Sequence, residues 1–138
     1  MLTVRRYQPG DYPQLKVLYE SPANGGQFDE ARDAEMVLRR KSEEDPDSVL
    51  VADDDGSVVG SVSLIEDGRV AWLFRFVVTD GPQSPQASEM LCEKAMEILH
   101  SRGHQQVLVY APKNDPLFES RYRALGFQKG NDYTCYWK

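Results

Sequence analysis

Apolar positions recur along this chain at two spacings, every second residue or every third to fourth, and their succession predicts its elements. Leu2–Tyr7 reads as a short strand, and Asp11 as the N-cap of a helix with Gln14 three residues on and a stripe of Leu15, Leu18 and Tyr19. Ser21–Gln27, with Pro22, Asn24, Gly25 and Gly26, is a loop. Asp29–Lys41 is a second helix, weakly amphipathic through Ala31, Ala34, Val37 and Leu38. Three strands follow. Ser48–Ala52 ends in the turn Asp53–Gly56, Val58–Ile65 ends in Glu66–Gly68, and Arg69–Val78 is apolar enough to lie inside a sheet.

Beyond a loop with Pro82 and Pro85, Gln86–Arg102 is a strong helix that buries Ala87, Met90, Leu91, Ala95, Ile98 and Leu99 and stops at Gly103. Gln106–Ala111 is a β-branched strand, and Pro116–Leu125 is a short helix opened by Asp115 and closed by Gly126. Asp132–Lys138 is a last strand of alternating aromatics. The order β-α-α-β-β-β-α-β-α-β predicts an α/β (α+β) domain. Its sheet is mixed but mostly antiparallel, with helices on both faces.

Length makes this a single domain over 1–138, because 138 residues bury one core and not two. A net charge of −6 speaks against a nucleic-acid partner, which asks for a basic face. The excess acid is local: residues 28–55 hold 11 acidic and four basic side chains. No apolar run approaches the roughly 20 residues of a membrane span, and Arg5 and Arg6 near the start are not followed by the apolar core of a signal peptide. A cytoplasmic protein that binds no membrane is expected. Cys92, Cys135, His100 and His104 show no metal-ligand spacing, so no metal is expected.

Three stretches, in this order, give the chain a likeness. "VRRYQPGDYPQL" (Val4–Leu15), "RYRALGF" (Arg121–Phe127) and "DYTCYWK" (Asp132–Lys138) resemble the first strand and helix, the tyrosine-bearing helix and the last strand of the GNAT superfamily of acyl-CoA-dependent N-acetyltransferases. The resemblance covers essentially the whole chain. It implies acetyl-CoA as co-substrate and a primary amine of a small molecule or peptide as acceptor. It implies that Tyr122 is the general acid that protonates the departing thiolate, whereas the residue by itself reads equally as an aromatic packed under the sheet edge. It also implies that the backbone of Phe76, Val77 and Val78 holds the pantetheine arm, with Asn114 touching that arm. The other reading places Asn114 merely in the turn Lys113–Pro116.

The chain departs from the family where the pyrophosphate is expected to bind. The family's Q/R-x-x-G-x-G/A loop corresponds to Pro82–Ala87, with Pro82 and Pro85 in place of its Gln/Arg and first glycine. Proline supplies no N–H and cannot take a positive φ. One reading retains a weakened site built from the N–H groups of Gln83, Ser84, Gln86, Ala87 and Ser88 and the helix dipole. The other has a non-catalytic binding or regulatory module that no longer binds acyl-CoA productively. A third has a donor other than CoA.

The strand Arg69–Val78 carries no acid to serve as base, and strict alternation puts Arg75 on one face with Ala71, Leu73 and Val77. A buried arginine needs a partner such as Glu35, Glu66 or Asp132, or else it faces the acceptor cleft and selects a carboxylate-bearing acceptor. Asp29, Glu30, Asp33 and Glu35 either steer cationic amines toward that cleft or form a plain solvated face. The alternation of Tyr133, Cys135 and Trp137 suits pairing with a second copy, as in a homodimer, and equally burial under a helix.

Overall fold

In the computed structural model, which describes residues 1–138, the elements are β1 (Leu2–Arg6), α1 (Tyr12–Glu20), α2 (Glu30–Asp33), α3 (Glu35–Glu44), β2 (Val49–Asp54), β3 (Ser57–Glu66), β4 (Ala71–Val78), α4 (Ser84–Ser101), β5 (Leu108–Val109) and α5 (Pro116–Ala124). They form one five-stranded sheet in the order β1-β2-β3-β4-β5. The first four strands are antiparallel, and β5 lies parallel to β4 after the α4 crossover. This is the mixed, mostly antiparallel α+β sheet that the patterning predicts. No helix is long and apolar enough to cross a membrane.

The sheet separates two apolar clusters. Leu91, Ala95 and Leu99 of α4 pack on one face against Leu50, Val62, Leu73, Phe76 and Val78. Leu15, Leu18 and Tyr19 of α1 and Leu38 of α3 pack on the other, against Val49, Val51, Val58 and Val77. Both helical stripes are the ones their spacing predicts, except that Met90 is only partly covered while Ser88 and Cys92 are buried.

Four expectations need correction. Asp11 gives α1 no side-chain cap. Its carboxylate takes the Gln8 N–H at 2.8 Å and a two-pronged contact from Arg5 at 2.9 Å, while Gln14 accepts from the Val58 N–H at 2.9 Å. The expected helix Asp29–Lys41 is two helices, because Ala34 is extended with φ −63° and ψ 151°. That break lets Asp33 turn inward.

The strand expected over Gln106–Ala111 pairs only through Leu108 and Val109, opposite Trp72 and Leu73. The final strand is absent. Residues 132–138 form no ladder and lie exposed, with Tyr133, Tyr136 and Trp137 in the open. The two events share a cause: with two residues of β5 in place, a sixth strand has almost no ladder to join.

Candidate functional site

Strand β4 changes character at Arg75. From Ala71 to Phe74 it faces Glu66 to Ser63 in one register, and from Val77 to Val78 it faces Ser61 and Gly60 in another. Arg75 and Phe76 therefore stand together opposite Val62, a β-bulge, with Arg75 in the left-handed region at φ 50°. The extra residue swaps the faces. Ala71 and Leu73 end on the same side as Phe76 and Val78, in the α4 cluster, and Val77 alone turns toward α1. The strict alternation expected for this strand holds only up to the bulge.

The bulge also turns β4 away from β5, whose pairing stops at Leu73. The edge from Phe74 to Val78 thus has no strand beside it. The Thr79 N–H donates to the Val59 carbonyl at 2.8 Å, so Val77 and Thr79 present their peptide groups to β3 and Val78 presents its own to the open side. There a side chain meets it. Asn24 donates to the Val78 carbonyl at 2.9 Å and accepts from the Val78 N–H at 3.2 Å.

Arg75 does not reach Glu35, Glu66 or Asp132. Its Nε donates to Asp33 Oδ1 at 3.0 Å, its Nη2 lies 2.9 Å from Asp33 Oδ2, and its Nη1 donates to Gln27 Oε1 at 2.9 Å. The side chains of the pair are 6% and 1% exposed, and the guanidinium sits 4.6 Å from the Phe74 ring centroid. Asp33 further accepts from the Asp29 N–H, and its carbonyl from the Tyr12 hydroxyl, both at 2.8 Å. Asp33 is thus no steering charge on a solvated face. It neutralises the arginine that the bulge turns inward, and both charges are satisfied without a ligand.

Tyr122, on α5, lies across the bulge. Its ring centroid is 6.5 Å from that of Phe76, 6.1 Å from Phe118 and 6.0 Å from Phe127. Burial pushes the phenol above its ordinary value of 10, so it is protonated at neutral pH. Asn114 lies in an exposed turn at φ 61°, just ahead of the Asp115 cap of α5.

At the start of α4, the Ser84 N–H is taken by the Gly81 carbonyl at 3.2 Å and the Ala87 N–H by Gln83 at 3.0 Å. Ser88 is buried. Of the five amides considered there, those of Gln83 and Gln86 have no backbone acceptor. Burial raises the Cys92 thiol, which suits a packing role and not a nucleophile. No group of three His, Cys, Asp or Glu side chains is placed to hold a metal ion.

Two clefts lie away from this edge. One of about 250 Å³ borders Gly68, Arg69 and His104 at the far end of β4, and one of about 390 Å³ lies between α4 and α5 beside Met96 and Leu125. Neither touches the open edge or Tyr122.

Residues 12–127 match the acetyltransferase (GNAT) family. The chain belongs to that family. No curated protein matches it by sequence. Among solved structures it is similar to an acetyltransferase of Agrobacterium tumefaciens described as putative, with TM-score 0.78, 18% identity and 99% of each chain covered. It is similar to the PaiA N-acetyltransferase of Thermoplasma acidophilum in complex with coenzyme A, with TM-score 0.78, 19% identity and 96% and 93% covered. It is also similar to an aminoglycoside acetyltransferase from an uncultured soil metagenomic sample, in complex with trehalose, with TM-score 0.74, 20% identity and 99% and 95% covered. At such identities the GNAT fold is what is shared.

Sequence reasoning missed Asn24, Gln27 and Asp33. Asn24 stood in a run of turn formers, and its partner Val78 is 54 residues away. The one available signal was the unpaired Arg75, which required an anion somewhere in the chain.

Proposed function

We propose that this GNAT chain is an N-acetyltransferase that moves an acetyl group from acetyl-CoA to a primary amine of a small molecule or peptide. The observation that carries the reading is the parting of β4 from β5 beyond Leu73. It leaves an open strand edge at the bulge, between the Tyr122 ring and the start of α4. Coenzyme A in one structural relative and an aminoglycoside acetyltransferase as another support the donor and the acceptor class.

In this reading the donor's arm lies along the edge at Phe76–Val78. Its pyrophosphate meets the Gln83 and Gln86 amides and the helix dipole, with Pro85 at the first turn limiting the number of donors. The amine nitrogen forms a bond to the thioester carbonyl carbon, and the C–S bond then breaks. Tyr122 gives its phenolic proton to the thiolate, and the amine's surplus proton passes to water, which in turn restores the phenol. Asp33 is occupied by Arg75 and supplies no base. Arg75, with three of its donors spent on Asp33 and Gln27, acts here as the prop of the bulge in preference to an anchor for the acceptor.

Acetyl-CoA at 100 times its dissociation constant should stabilise the protein by roughly 2.7 kcal/mol in a thermal-shift titration. Thiol release over a panel of amines then finds the acceptor. Tyr122→Phe should lower kcat by about 10²–10⁴ with acetyl-CoA affinity unchanged. A second reading, a binding module without turnover, is favoured by the prolines at 82 and 85 and by the Asn24 contact on Val78. The absence of any thermal shift at millimolar acetyl-CoA would select it.

A further inference from the structure

The carboxamide of Asn24 meets the outward face of Val78 as a neighbouring strand would, donating to its carbonyl at 2.9 Å and accepting from its N–H at 3.2 Å. Both residues are buried, Asn24 at 5% and Val78 at 3% exposure. This contact closes the Val78 end of the β4 edge that β5 abandons. The same Nδ2 also donates to the Leu18 carbonyl at 3.3 Å, so the side chain bridges the end of α1 and the end of β4.

A secondary amide could make the same two bonds to Val78, since it too carries one donor and one acceptor. The arm of acyl-CoA contains two such amides. Immediately after Asn24, Gly25 and Gly26 hold φ 86° and 56°, and glycine can leave that conformation for others without a side-chain penalty.

We propose that Asn24 is a placeholder in the donor site: its carboxamide occupies the hydrogen-bonding position on Val78 that an amide of the donor's arm takes, and the donor binds by displacing it. The inference rests on the acyl-CoA reading above. It makes the segment Pro22–Gly26 a determinant of donor affinity, because every binding event gives up the two Asn24–Val78 hydrogen bonds and the one to Leu18 for the pair the donor makes. The gain is then smaller than at an open edge, and the Val78 peptide stays satisfied whenever the site is empty.

The test compares wild type with Asn24→Ala by calorimetric titration of two probes. One is CoA, and the other is adenosine 3′,5′-bisphosphate, which keeps nucleotide phosphates and lacks the arm. The placeholder predicts CoA binding about tenfold tighter in the variant, from the modest Asn24 hydrogen bonds that no longer need breaking, with the nucleotide bound alike by both.

The second measurement uses wild type alone and holds if the variant fails to fold. The side-chain NH₂ resonances of Asn24, assigned by NMR, should move to solvent-exposed values when CoA saturates the protein. Equal or weaker CoA binding by a folded variant, or Asn24 resonances unmoved at saturation, would make Asn24 a fixed brace and overturn the proposal. CoA binding to neither protein would remove the acyl-CoA reading itself, a result separable from the other two.

Discussion

The two halves of β4 show two ways to complete a strand. At Trp72 and Leu73 the backbone is paired on both sides, by β3 and by β5, and the charges nearby sit at the surface. There Arg102 makes a two-pronged contact with Asp45 at 2.7 and 3.1 Å and lies 3.8 Å from Glu66, with side chains 20–33% exposed. From Arg75 to Val78 the ladder on one side is replaced by side chains. Arg75 is neutralised by a buried carboxylate and Val78 is closed by a carboxamide. Ladder hydrogen bonds come with the fold; side-chain substitutes can be exchanged or mutated singly. The second half is therefore where a ligand can compete with the protein's own contacts.

The contrast breaks most sharply at Asp33. Asp33→Asn leaves the Arg75 charge buried without its counter-ion, and urea unfolding should show a loss of about 3–5 kcal/mol. A loss below 1 kcal/mol would mean that Arg75 escapes to solvent and that the bulge is held by something else. Next comes Gly60, which lies opposite Val78. A Cβ there would meet Leu91 Cδ1 at 3.0 Å, Val78 Cγ1 at 3.1 Å and the Val77 carbonyl at 3.2 Å. Gly60→Ala should cost about 1–3 kcal/mol of stability, and it should weaken CoA binding by disturbing the same edge.

The smallest effect belongs to the surface half. Asp45→Asn should cost under about 1 kcal/mol, since the pair is reached by solvent. Its pH dependence has a definite sign. The hydrogen bond from Arg102 holds the Asp45 carboxyl below its ordinary 3.8. Its share of stability is complete above that value and disappears as pH falls through the lowered folded value. Wild type and variant should therefore differ near neutrality and converge in acid, as followed by thermal melting from pH 7 to pH 2.

The sequence announced those parts of the molecule that obey a local period. Leu15, Leu18 and Tyr19 every third or fourth residue, and Ala87, Leu91, Ala95 and Leu99 likewise, could only be helices with one buried stripe. The helix that carries Tyr122 was legible through Asp115 and Pro116 at its start and Gly126 after its end. Alternation along β4 was a sound guide as far as Phe74 and misleading after it, because one inserted residue inverts every later side chain.

Nothing in the residues around Arg75 marks the insertion, as no glycine is present to suggest a positive φ. Asp33 and Asn24 were out of reach for another reason. Each acts through a contact 42 or 54 residues distant, and the local pattern of each is that of an ordinary turn or helix end. The aromatic alternation of residues 133–137 shows the opposite failure. A strand-like period yields no strand where the neighbouring ladder ends after two residues.

The left-handed backbone at Arg75 has a consequence for the order in which the molecule assembles. A non-glycine residue at φ 50° is locally unfavourable by about 1–3 kcal/mol and persists only when its surroundings impose it. Those surroundings are Asp33 and Gln27, contributed by the connection between α1 and α3. Pairing of β3 with β4 is a hairpin event that requires no distant segment, whereas the kink must wait until that connection has docked. The β3–β4 hairpin up to the bulge can thus pair before that connection docks, whereas the register beyond it depends on residues that join from elsewhere in the chain.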